Sequence, residues 1–457
     1  MKTSFRKLKF AVLLALITGN VYADESTDAR ITKLQQMLQE QQWQMEAMMD
    51  ELKSLQGARG EAKGNPVYAE FKNGVSLGDS SGDWGLTING RVQADARAFN
   101  PDETAADTFS VRRARLGATM TFYDDYSARV EGEYSGSSTT LTYAYFDINK
   151  FKQAKIRMGQ FKPFYGLERS MSTNFTDFQE RSLADALLGS TYDRGVMVHG
   201  TPTKGMYYSL AYINGNNSDE SSVTNDEKDA TGRLTVNVAE LLDWKDSVMH
   251  LGGFYAKGKQ ENGSAIPVVQ TEARGYKLFE TTGASANKFT DNVDRTRSGM
   301  ELALAKGPVK LQSEYIKAKF EGDDFTRDMS AWYASINWLV SGESFSDTYK
   351  DGAFGRLKPT NNFNFGGYGW GALQLGIRYS NFDGDDFVTT NATGTGKLAA
   401  NKTNQADAWT LGANWILNPN TRLMANYIHT SFDDTVSVSG NSFDHEDAVT
   451  MRAQFDF

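Results

Sequence analysis

Cysteine is absent from the chain. A disulfide framework, a thiolate nucleophile and a zinc–thiolate site are therefore excluded. Histidine is scarce. His199, His250, His429 and His445 are the four present, and none belongs to a recognisable nucleophile motif. No catalytic residue, metal ligand or cofactor site is assigned, and an enzyme is not expected. Proline is scarce as well, with 8 residues, whereas glycine (42) and aromatics (12%) are plentiful. That balance suits many strands and tight turns better than helices. Beyond the N-terminus no apolar run approaches the roughly 18 residues that a spanning helix needs. A membrane β-barrel escapes that test, because each of its strands meets lipid only at every second residue. Positive charge is not in excess either: 48 Lys+Arg stand against 57 Asp+Glu, a formal charge of −9. Nucleic acid is not an expected partner.

The N-terminal region reads in three parts. Residues 1–23 have the layout of a signal peptide. Lys2, Arg6, Lys7 and Lys9 form a basic start, Phe10 to Ile17 an apolar core, and Val21-Tyr22-Ala23 a small-residue cleavage site. The four cations leave with no acid, which takes the formal charge from −9 to −13. Residues 24–56 contain a heptad pattern from Ile31 to Leu55. Ile31, Leu38, Met45 and Leu52 fall at one core position; Leu34, Gln41, Met48 and Leu55 fall at the other. This spacing predicts a short periplasmic coiled coil, interrupted by Gln41. About four heptads associate weakly alone, so the segment is expected to act with an oligomer formed elsewhere, a homotrimer, and to contact the cell wall or a periplasmic partner. A single amphipathic helix is the plainer alternative. Residues 57–85 form a Gly/charge-rich linker and a small hairpin.

From Leu86 to Phe457 the chain alternates. At its end Val449, Met451, Ala453, Phe455 and Phe457 share one parity, while Thr450, Arg452, Gln454 and Asp456 share the other. Strands put successive side chains on opposite faces, so this is a strand with one apolar and one polar face. About sixteen such segments recur. Connections alternate between short ones, such as Asp124-Asp125 and Gly307-Pro308, and long ones, such as 162–191, 259–292 and 384–404. The expected fold is all-β: a transmembrane antiparallel barrel of about 16 strands in the bacterial outer membrane, with lipid outside and a polar lumen inside. The segment 340–370 is long for the periplasmic side: either the strand count is off by a hairpin there, or that turn is unusual. Strands 246–258 and 421–432 are ambiguous in phase.

Assigning the polar parity to the lumen places twelve basic residues there. They are Arg91, Arg97, Arg113, Arg115, Arg129, Lys155, Arg157, Arg233, Arg295, Arg297, Arg378 and Arg452. Six acids accompany them: Asp95, Glu131, Glu133, Asp147, Glu301 and Asp456. Arg112 falls on the lipid parity and is read as interfacial. A positive lumen favours anions. The candidate pore-lining and anion-binding set is Arg91, Arg97, Arg113, Arg115, Arg129, Lys155, Arg157 and Lys162. Structural salt-bridge ladders, with Asp95 against Arg113 and Glu133 against Arg115, are the competing reading. Residues 162–190 are too apolar for a loop freely in water and are expected to fold inward and narrow the pore. That loop carries Lys162, Arg169 and Arg181 but is net acidic through Glu168, Asp177, Glu180 and Asp185. A basic wall facing an acidic loop also suits a general porin for small hydrophilic solutes.

Several runs resemble the phosphate-selective porin O and P family. They are FSVRRARLGATMTFYDDYSARVEGEY (109–134), AYFDIN (144–149), IRMGQFKPFYGLE (156–168), FQERSL (178–183), DRGVMVHG (193–200), WLVSGES (338–344), GRLKP (355–359) and GALQLGIRYSNFD (371–383). The terminal Phe457 resembles the outer-membrane assembly signal. The resemblance implies a sixteen-stranded trimeric outer-membrane porin for small anions such as phosphate, with its third loop in the pore. It also accounts for the long 340–370 segment. It implies an arginine ladder, for which Arg113, Arg115 and Arg129 are the matching positions, and a lysine-bearing anion site, of which Lys155 and Lys162 are neighbours.

Overall fold

The computed structural model describes residues 36, 39–40, 43–44, 46–50, 67–71, 74–189, 191–215, 226–260, 265–282 and 287–457. The chain divides into two units, residues 1–65 and 66–457. In the first, the described residues between 36 and 50 are helical and exposed, Trp43 and Met48 among them. The signal peptide and the other heptad core positions lie outside the described residues.

The second unit begins with a hairpin of β1 (Val67–Phe71) and β2 (Val75–Asp79). Sixteen longer strands follow. They are β3 (Trp84–Asn100), β4 (Thr108–Phe122), β5 (Tyr126–Glu133), β6 (Thr140–Ile148), β7 (Lys155–Phe161), β8 (Asp193–Gly200), β9 (Met206–Ile213) and β10 (Asp229–Asn237), then β11 (Ser247–Gln260), β12 (Val293–Lys306), β13 (Val309–Glu321), β14 (Thr326–Leu339), β15 (Ala372–Asp383), β16 (Gln405–Asn418), β17 (Thr421–Val438) and β18 (Asn441–Asp456). Each pairs antiparallel with the next, and β18 returns to β3 with Arg452 opposite Asp95 and Gln454 opposite Gln93. Gly90 and Phe457 exchange both main-chain hydrogen bonds at 3.0 Å, so the terminal residue seals the seam. Closure leaves no edge unpaired around the ring of sixteen described barrel strands, which is the condition for a sheet to stand in lipid.

The two faces differ as the alternation predicts. On β18, Val449, Met451 and Phe455 are 47–56% exposed, whereas Thr450, Arg452, Gln454 and Asp456 are 2–3% exposed. Left in water, so large an apolar surface would drive aggregation; in a bilayer it is the contact with lipid. The ambiguous strands take the same phase. Leu251 and Tyr255 of β11 and Leu423 and Tyr427 of β17 point outward, and Val248, Phe254, Met424 and Ile428 point inward. Val248, Phe254 and Ile428 meet segments folded into the barrel, which is why the period was blurred.

Among the described residues four connections enter or cover the barrel, and the core lies there. The third outer loop, residues 162–192, brings Tyr165, Leu183, Leu187 and Leu188 against Phe254, Ile316 and Tyr333 of the wall. The fifth and seventh outer loops meet through Phe279 and Phe387, with ring centroids 5.3 Å apart. The long 340–371 turn folds up from the other end, where Phe345, Phe354 and Leu357 pack with Leu167 and Met171 of the third loop.

The third loop is held mainly by one side of the barrel. Glu314 of β13 accepts the N–H groups of Leu167 (2.5 Å) and Glu168 (2.7 Å) and the hydroxyl of Tyr333 (2.6 Å). Gly166 makes that approach possible: its φ is +64°, and a Cβ would collide with Glu314 Oε1. Lys310 Nζ donates to both oxygens of Asp177 at 2.8 and 2.9 Å. Asn414 donates to the carbonyl of Asp177, and Arg422 to that of Thr176.

Two consequences can be measured. Met451→Arg puts a charge on the lipid face and is expected to destabilise the barrel by about 2–4 kcal/mol if it sits near the midplane. The urea unfolding midpoint in liposomes reads this, and no shift would contradict the assigned phase. Glu314→Ala leaves two buried N–H groups without an acceptor, at about 1–3 kcal/mol each. Single-channel current should become noisier as the loop works loose, and a current as quiet as wild type would dismiss Glu314 as its anchor.

Candidate functional site

The passage is defined by what the third loop leaves open. Its anchors draw it towards β13–β18, whose inward residues are buried. Towards β4–β8 several lumen side chains keep partial exposure: Arg112, Arg115, Arg129, Tyr143, Tyr145, Lys155 and Arg157.

Arginines crowd the entrance to this passage. A β-bulge in β4 is the cause. Gln93 pairs with Arg113 and Ala94 with Val111, so Arg112 is an extra residue. A bulge turns a side chain off its parity. Arg112 therefore points inward and binds Glu180 through Nε at 2.8 Å and Nη2 at 3.2 Å. The interfacial reading of Arg112 is corrected. The same slip moves Asp95 opposite Ser110 and Arg97 opposite Thr108, so Asp95 does not neutralise Arg113. Asp95 instead serves Arg97 at 2.7 Å and Arg452 at 2.7 Å. Glu180 receives Arg97 at 3.2 Å and Arg452 at 2.9 Å besides Arg112. Arg113 donates to Gln93 Oε1 at 2.8 Å and has no carboxylate partner among the described ion pairs. Arg274, from the fifth loop, lies within Coulombic range of Arg97, Arg112, Arg452 and Glu180. Burial alone would raise the carboxyl of Glu180; Arg112, Arg113 and Arg452 outweigh it and hold its pKa well below the usual carboxylate range. Glu180 thus stays ionised, and five arginines share two carboxylates, an excess of three positive charges.

Further down, the arginines are matched more closely. Arg91 donates to Thr173 of the third loop at 2.8 Å and lies 3.8 Å from Glu131. Arg115 faces Glu133 in register and binds it at 2.7 Å, with Glu131 at 3.3 Å. Arg129 binds Glu131 at 2.6 Å. Arg157 takes both oxygens of Asp147 at 2.8 Å. Lys155 stands opposite His199 near the periplasmic end, half-buried and with no ion pair among the described residues.

Lys162 is not a pore-lining group. It is buried, and its Nζ donates to the carbonyls of Arg169 at 2.7 Å and Met171 at 3.1 Å. It ties the third loop to itself, because a buried ammonium needs acceptors on every side. Two further arginines matter to the site. Arg378 joins Glu168 of the third loop (3.0 Å) to Glu272 of the fifth. Arg112 had a signal in the sequence: two adjacent arginines inside an alternating strand already hint at a bulge.

The comparisons with known proteins agree with this geometry. The family Phosphate-selective porin O and P matches residues 86–457. Porin O of Pseudomonas aeruginosa is 24% identical over 428 residues, covering 86% of this chain and 93% of that one. Among solved structures, the trimer form of OmpT of Vibrio cholerae superposes with a TM-score of 0.50 at 12% identity, covering 82% of this chain and 99% of that one. The outer-membrane channel DcaP of Acinetobacter baumannii has a TM-score of 0.50 at 13% identity, covering 85% and 100%. Porin O is named as a porin and DcaP as a channel. The closed sixteen-stranded barrel, its polar lumen and the family match over nearly the whole of it converge: the chain is an outer-membrane porin and belongs to the phosphate-selective porin O and P family.

Proposed function

We propose that the barrel carries small anions, phosphate and related oxyanions among them, by passive diffusion past the arginine cluster. The observation behind this reading is the imbalance at the entrance, where Arg97, Arg112, Arg113, Arg274 and Arg452 share only Asp95 and Glu180. In a narrow lumen with low-dielectric walls such an excess raises the local anion concentration and repels cations. Arginine donors also match oxyanion geometry. The description of the family as phosphate-selective adds support. Transport of small hydrophilic solutes with weak ion preference is the second reading, and the carboxylates that pair Arg115, Arg129 and Arg157 favour it.

The assembly belongs to the same proposal. A homotrimer is supported by the trimeric form of OmpT. Residues 1–23 are a signal peptide removed on export, residues 24–56 form a periplasmic helix that associates as a coiled coil and reaches the cell wall or a periplasmic partner, and residues 57–66 act as a linker.

The test is the zero-current potential in planar bilayers under a KCl gradient. Wild type is expected to prefer chloride, and added phosphate to reduce the current. The double variant Arg112→Gln/Arg113→Gln, checked for heat-modifiable folding, should lower the anion-to-cation permeability ratio by about two- to tenfold per charge at low salt. A wild-type preference for potassium, or an unchanged potential in the variant, would replace this reading with the general porin.

A further inference from the structure

Below the entrance the lumen wall changes character, because its arginines lie on tyrosines. The guanidinium of Arg157 lies over the Tyr145 ring, 3.8 Å from its centroid. That of Arg129 lies over Tyr143 at 4.6 Å, and that of Arg115 over Tyr192 at 5.7 Å. The rings touch one another edge to face, with Tyr143 centred 5.8 Å from Tyr145 and 5.1 Å from Tyr192. The three tyrosines and three arginines therefore form one continuous track along the open side of the passage.

The hydrogen bonds of this track decide what it can hold. A guanidinium donates in its own plane. One terminal nitrogen of each guanidinium is committed to the wall, and each Nε is either committed or buried. Arg157 gives Nε and Nη2 to Asp147, Arg129 gives Nη2 to Glu131, and Arg115 gives Nε to Glu133 and Nη1 to Glu131 and the Tyr192 hydroxyl. A tetrahedral oxyanion needs several such donors to converge on it. Beyond one terminal nitrogen on each arginine, spaced out along the track, what it offers is flat: guanidinium faces, ring faces and ring rims. The side chains of Arg115, Arg129 and Arg157 keep 11%, 26% and 13% of their surface exposed. The hydroxyls of Tyr143 and Tyr145 have no hydrogen-bond partner among the described residues, and both side chains are half-buried at the passage. Each is a free donor beside a stacking surface.

We infer that this track binds planar organic anions, aromatic and conjugated carboxylates, in preference to tetrahedral oxyanions. The flat π-system lies on the guanidinium and phenol faces, where stacking and cation–π attraction act. The carboxylate meets the free phenol hydroxyls. The near-balance of arginines and acids keeps the binding shallow enough for release. This rests on the anion-porin reading and gives its cargo a class.

The experiment is current block in planar bilayers by three anions: benzoate, cyclohexanecarboxylate and inorganic phosphate. The first two share charge and approximate size and differ in planarity and π-character. Benzoate is expected to half-block wild type at a concentration about tenfold lower than either of the others. The variant Tyr143→Leu/Tyr145→Leu should lose that advantage, while Tyr143→Phe/Tyr145→Phe should keep the stacking and lose part of it. Equal block by benzoate and cyclohexanecarboxylate, stronger block by phosphate, or undiminished benzoate block in the leucine variant would overturn the inference. The zero-current potential of the same membranes judges anion preference separately. Chloride preference without benzoate selectivity removes the track alone, and potassium preference removes the anion reading.

Discussion

Arg452 is the interaction on which the rest depends. Its guanidinium is fully buried, and its Nε and Nη2 meet the two oxygens of Asp95 at 2.7 and 2.8 Å. Asp95 lies on the first barrel strand and Arg452 on the last, so this ion pair spans the seam that closes the sheet. The same guanidinium donates to the carbonyl of Gln179 at 2.6 Å and to Glu180 at 2.9 Å. One side chain thus joins closure of the barrel to the position of the third loop and to the entrance cluster. A buried charge without partners is costly by several kcal/mol, and removing one member of such a pair is worse than replacing both. The barrel cannot close in another register, nor the loop settle elsewhere, without orphaning that charge.

The lumen is accordingly a packed polar core through which a passage runs. Arg378 joins the third and fifth loops, and Arg233 binds Glu301 and the carbonyl of Gly352 in the inward-folded periplasmic turn. In each case a wall arginine satisfies a segment that arrives from one end. Inside the barrel the loops bury apolar side chains against the wall, and directional charge-assisted bonds fix where each segment settles. Those apolar side chains gather where loop meets wall, as Leu187 of the third loop does with Phe254 of β11.

How much of this was legible in the sequence follows from which forces are local. Alternation is local, so β18 and its lipid face could be read directly, and so could a barrel of about sixteen strands. Arg115 against Glu133 could also be read, because no bulge intervenes. Arg112 could not be placed by parity, since a single inserted residue reverses the face of everything that follows it. β11 and β17 were ambiguous because Val248, Phe254 and Ile428 face the lumen but pack against inserted segments or their neighbours. Lys162 has the right residue type and neighbourhood for an anion site. Only the return of the loop onto its ammonium, through the carbonyls of Arg169 and Met171, reveals its structural use. Such contacts depend on the path of the loop and leave no period in the sequence.

Salt-bridge ladder and anion path were competing readings of the same arginines, but the two are physically compatible. A guanidinium on a long flexible stem loses rotamer freedom when it must point one way. A carboxylate partner fixes that direction before any solute arrives. Where one carboxylate serves several arginines, as Glu180 serves Arg97, Arg112 and Arg452, orientation is secured and net positive charge remains. Where the numbers nearly match, as along Arg115, Arg129 and Arg157, orientation is secured and most of the charge is cancelled. The acids therefore grade the field along the passage while holding in place the arginines they pair. Under the proposed anion transport, an anion would be drawn in where carboxylates are shared and handed on where they are matched, and their distribution would set both the selectivity and the ease of release.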